Sequence, residues 1–78
     1  MGIESEQLVF DYLSRVGDLA HATSMTAAQR ARLVGDLRTY VDRARATEGG
    51  AWTTADVGRV LARLGKPEEV VAASVGGA

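Results

Sequence analysis

A single histidine, His21, and a scatter of carboxylates are all that this chain offers for acid–base or metal chemistry. Proton transfer needs titratable groups converging on one point, and a transition-metal site needs imidazole or thiolate donors at fixed spacing. His21 falls near the end of a helical pattern, where a protonated imidazole complements the negative pole of the helix dipole. The carboxylates are dispersed among arginines, which is the pattern of a solvated helix surface. Gly49-Gly50 lacks the preceding strand and the glycine spacing of a phosphate loop. With no cysteine there is neither a disulfide framework nor a thiolate site. The chain therefore reads as a non-enzyme, with no catalytic, cofactor-binding or metal-binding residues.

Recognition chemistry is the alternative. Trp52 is the sole tryptophan, and it directly precedes Thr53-x-x-Asp56, a helix-capping signature. With Thr53 as the N-cap, Trp52 and Val57 have the spacing of a hydrophobic staple, a packing role. Tyr12 and Tyr40 sit at the edges of apolar stripes, each expected at the rim of the core with its hydroxyl in water. Arg59 and Arg63 share a helix face but follow Asp56, so they make a poor phosphate-binding surface.

These residues need elements to hold them, and four helical segments can be read. The first is predicted over about Glu6–Ala22, with Ser5 as its N-cap. Its apolar stripe is Leu8, Val9, Tyr12, Leu13, Val16, Leu19 and Ala20. Asp11 and Arg15 are placed for an i,i+4 pair, and Gly17 for close approach of a neighbouring helix. Thr26 and Gln29 form a capping box that opens the second helix, which should run to about Ala46 or Thr47. Its buried face is Ala31, Val34, Leu37, Val41 and Ala44, flanked by Leu33 and Tyr40. Gly49-Gly50 ends it. The third helix spans Thr54–Leu64. Gly65 then supplies a left-handed cap, Pro67 the first position of a fourth helix of about two turns, and Glu68 and Glu69 its acidic first turn. The expected fold is all-α: a small bundle of three to four helices. Two long antiparallel helices are closed by a helix, a Gly–Pro corner and a short helix. Residues 1–75 form one domain and 76–78 a frayed tail.

At 78 residues, the chain has a marginal core and cannot afford a deep cavity. A net charge of −1 argues against an extended nucleic-acid or anionic-lipid surface. Eight of the nine basic residues are arginine, which with abundant Ala, Gly and Val suggests a GC-rich genome, as in actinobacteria. MGIESEQ is not a signal peptide, and Glu6 stands where an acylation signal needs Ser or Thr. The longest apolar run, Val70–Val75, is too short to span a bilayer.

Taken together, Tyr12-Leu13 on the first helix, Asp36-Leu37-Arg38-Thr39-Tyr40-Val41 on the second and the Leu64-Gly65-Lys66-Pro67-Glu68-Glu69 corner resemble the HAAS-type helical signalling domain of bacteria. The chain departs from that pattern at Ser24-Met25, where the family has a Leu-Pro step, and at Tyr40, where it commonly has histidine. The resemblance implies a cytoplasmic interaction domain, free-standing or at the soluble N-terminus of a membrane-anchored protein. It also implies a protein partner, a PadR-type winged-helix transcriptional regulator, engaged without direct nucleic-acid binding. Helix two would carry the partner surface, with Leu33, Arg38 and Tyr40 as contacts and Arg32 and Asp36 as rim charges. Trp52, Val57, Gly65 and Pro67 are expected to be structural. Two other readings compete: a self-associating module that completes its core as a homodimer, and a small DNA-binding helix-turn-helix protein.

Overall fold

Capping chemistry sets most of the helix boundaries. The computed structural model describes residues 3–50 and 52–76. It contains α1 (Ile3–His21), α2 (Ala27–Glu48), α3 (Thr54–Leu64) and α4 (Pro67–Gly76), with no strand among the described residues. At the start of α2, the Gln29 N–H donates to Thr26 Oγ1 (3.1 Å) while the Thr26 N–H donates back to Gln29 Oε1 (2.8 Å). Thr53 and Asp56 repeat the device at the start of α3. Gly49 closes α2 in the left-handed conformation at φ 66°. These reciprocal bonds satisfy backbone donors that a helix start otherwise leaves unpaired.

α1 begins earlier than the sequence suggests, and Ser5 is not its N-cap. Ser5 lies inside the first turn, only 2% exposed, and its hydroxyl donates to the Trp52 carbonyl at 3.2 Å. A tertiary acceptor has taken the hydroxyl that would have served as a cap. α4 is also longer than two turns, since it continues to Gly76. Gly76 thus ends a helix, while Gly77 and Ala78 of the expected tail lie outside the described residues.

The core contains ten buried apolar residues, six of them valine: Val9, Val16, Val41, Val57, Val60 and Val71. Tyr12, Leu13, Ala20 and Leu37 complete it. α1 supplies half of this set and is the one helix that packs extensively against all three others. α2 runs antiparallel to it, and the α3–α4 pair, bent at Gly65-Lys66, closes the other flank. Three expected packing features are absent. Leu8 and Ala31 are exposed, because each lies at the margin of its stripe where no third helix covers it. A Cβ on Gly17 would meet nothing within 4 Å, so no helix approaches there. Asp11 accepts from Gln7 Nε2 at 2.8 Å, while Arg15 reaches across to Glu68 at 3.9 Å, so the Asp11–Arg15 pair does not form.

Candidate functional site

The α3–α4 corner is the most tightly specified part of the molecule. Gly65 has φ 97° and ψ 177°. The positive φ is as expected, but the residue is in the mirror-extended region and not in the left-handed helical one. That conformation is essentially reserved for glycine and turns the chain sharply instead of curling it. Lys66 is then the N-cap of α4, its N–H donating to Glu69 Oε1 at 2.9 Å, with Pro67 in the first helical position. The Tyr12 hydroxyl is not in water: it donates to the Gly65 carbonyl at 2.7 Å and so fixes the corner onto α1. Burial, and then the charge of Glu69, push the Tyr12 pKa upward.

Arg59 is held by Asp56, whose carboxylate also accepts the Thr53 N–H and hydroxyl. These hydrogen bonds, led by the one from the Thr53 backbone, keep the Asp56 pKa below its ordinary value. α3 therefore presents Arg63 and an arginine already engaged by a neighbour. Val57 is fully buried, and Trp52 is half-buried against the same core. No group of three or more His, Cys, Asp or Glu residues poised for a metal occurs among the described residues.

Two open grooves flank α2, and the structure divides four of the five expected contact residues between them. Arg32, Leu33 and Asp36 come together. They face α4 across a groove of about 510 Å³, with Met25 at one end and Val75 on the opposite wall. Leu33 and Met25 are half-buried against the core, whereas Val75 is 40% exposed. Arg38 points the other way, into a groove of about 380 Å³ between α1 and the C-terminal half of α2. There it pairs with Asp42 at 3.6 Å. Tyr40 lines neither of these grooves and is largely exposed.

Sequence reasoning missed two participants. Val75 belongs to the longest apolar run, but a fourth helix of about two turns does not carry it onto this surface. Phe10, the chain's one phenylalanine, lies outside the apolar stripe of the first helix. It is 64% exposed and lines the α1–α2 groove beside Trp52. Its register was the available signal, since it falls between the stripe residues Val9 and Tyr12 and turns away from them.

Among the described residues, no helix is long and apolar enough to cross a membrane. No family model, curated protein or solved structure matches this chain.

Proposed function

We propose that this domain is a non-enzymatic interaction module that binds and modulates a transcriptional regulator of the PadR-type winged-helix class. The observation that carries the reading is the α2–α4 groove. It joins an apolar floor, Met25 and Leu33, to an exposed apolar wall, Val75, with Arg32 and Asp36 at its edge. An apolar strip with a charged rim is the usual anatomy of a surface that receives a partner helix. The partner class comes from the resemblance to HAAS-type domains. The Tyr12–Gly65 hydrogen bond supports that resemblance, because it joins the Tyr-Leu pair to the Leu-Gly-x-Pro corner. On this reading the domain is cytoplasmic, free-standing or attached to a membrane anchor.

The test is calorimetric titration of a panel of purified PadR-type regulators against the wild type, Val75→Asp and Arg32→Glu. Both positions are exposed, so the variants keep the fold, as circular dichroism would verify. At least one regulator should bind the wild type, and Val75→Asp should weaken it by about tenfold or more, as for a central contact. Binding that ignores both substitutions would move the interface off this groove. No binding by any regulator would end the assignment of the partner.

A further inference from the structure

The α1–α2 groove is a separate surface, and its chemistry is lopsided. One rim is α1, with Glu6 beside Phe10; the other is α2, with Arg38, Asp42 and Arg45. Arg38 and Asp42 neutralise each other, which leaves Arg45 as the uncompensated charge on its rim. Glu6 and Arg45 border the same groove, yet no ion pair joins α1 to α2 among the described residues. The asymmetry extends along both helices: α1 carries four acids against Arg15 alone, and α2 five arginines against three acids. The α1 rim carries the most exposed large apolar side chain described, Phe10, in a molecule whose core is mostly valine. Exposure of a lone small apolar residue is ordinary, but an aromatic set in a groove beside a half-buried tryptophan is not.

We infer that this groove is the contact between two copies of the chain, related by a two-fold axis running parallel to it. The charges select both the occupant and the axis. A two-fold along the groove lays the α1 rim of one copy over the α2 rim of the other at the same height, so each Glu6 meets the second copy's Arg45. A two-fold across the groove would set acid on acid and base on base. The surface is thus complementary to itself, which is what an isologous dimer requires. Each Phe10 enters the other copy's groove against Val41 and Arg38. The side of the molecule that carries the groove measures at most 39 × 19 Å, so the contact falls below the ~800 Å² per partner of standard interfaces. The α2–α4 groove stays free in this dimer, so the inference stands or falls apart from the regulator assignment.

Sedimentation equilibrium from about 1 μM to about 1 mM covers the affinities open to an interface of this size. The wild type should pass from monomer to dimer within that range. Phe10→Ser should raise the dissociation constant about tenfold or more, as removal of a central aromatic does. Glu6→Arg and Arg45→Glu should each weaken the dimer, and the two together should restore it. Val75→Asp should leave it unchanged. A monomer throughout the range would overturn the inference. So would a dimer indifferent to Phe10→Ser, or one abolished by Val75→Asp, because it would use another face. A charge swap that fails to rescue would overturn the stated axis. Phe10 is mostly exposed, so Phe10→Ser keeps the helical signal and the test does not reduce to unfolding.

Discussion

The two flanks of α1 are finished differently. Toward α3 and the corner the surface is closed: Val16 and Val57 are fully buried, Tyr12 is hydrogen-bonded to the corner carbonyl, and Arg15 reaches Glu68, while farther along α4 an open groove lined by Leu19, Val71 and Val75 remains. Toward α2 a seam through Val9, Leu13, Leu37 and Val41 is closed, with Leu33, Val34 and Ala44 packed at its margins, and beside it lies a groove that exposes Phe10. One helix thus uses one side to hold the fold and leaves part of the other for contact. The difference shows how a domain this small can be both stable and available. Shape-specific packing is concentrated at the α3–α4 corner, and the most exposed large apolar side chain, Phe10, lies on the α2 side.

The sharpest way to break this contrast is at its buried end. Val57→Ala should cost about 2.5 kcal/mol, because the site is enclosed and a cavity would remain. A loss below about 1 kcal/mol in urea melts would mean that this flank packs no better than a surface. Gly65→Ala comes next, at about 2 kcal/mol. A new Cβ would meet only the Glu69 side chain, Oε1 at 3.4 Å and Cβ at 4.0 Å, so the cost is backbone conformation and not crowding. A crystal structure of that variant should show the corner rebuilt; an unaltered corner at unchanged stability would remove the argument.

Tyr12→Phe should cost about 1 kcal/mol, the net worth of one hydrogen bond. It also carries a pH signature. The folded pKa of Tyr12 is raised, so its contribution is whole below the ordinary tyrosine value near 10 and is lost as the pH climbs through the folded value. Wild-type stability should therefore fall above about pH 10 by more than that of the Phe variant. Parallel alkaline curves would show that the hydroxyl is not engaged.

On the open flank, Phe10→Ser should change the stability of the dilute monomer by less than about 0.5 kcal/mol. A larger loss would mean that Phe10 belongs to the core after all, and the two flanks would no longer differ.

The elements whose boundaries lie in short-range chemistry were the readable ones. Thr26–Gln29, Thr53–Asp56, Gly49 and Pro67 each act within four residues, and each marks a helix end where expected. What escaped depends on distant partners. Ser5 has the right type for a cap, but a carbonyl 47 residues away takes its hydroxyl. Tyr12 was expected to face water, because nothing local reveals the Gly65 carbonyl 53 residues on. The contact surface was half readable for the same reason. Arg32, Leu33 and Asp36 share a face by helical register alone, whereas their meeting with Val75 depends on how α4 returns along α1. Arg38 parted from them because its register is closer to the α1 side.

The central place of α1 also bears on synthesis. α1 is made before the other three helices, yet the helix that covers its far flank, α4, is made last. At ~5–20 residues per second, its apolar stripe stays unsheltered for a time on the order of seconds. Ribosome-stalled chains that end before Pro67 should accordingly be cut readily by protease, and chains whose α4 has cleared the exit tunnel should resist. Until α4 docks, the side of α1 that it covers is a segment that a chaperone can hold.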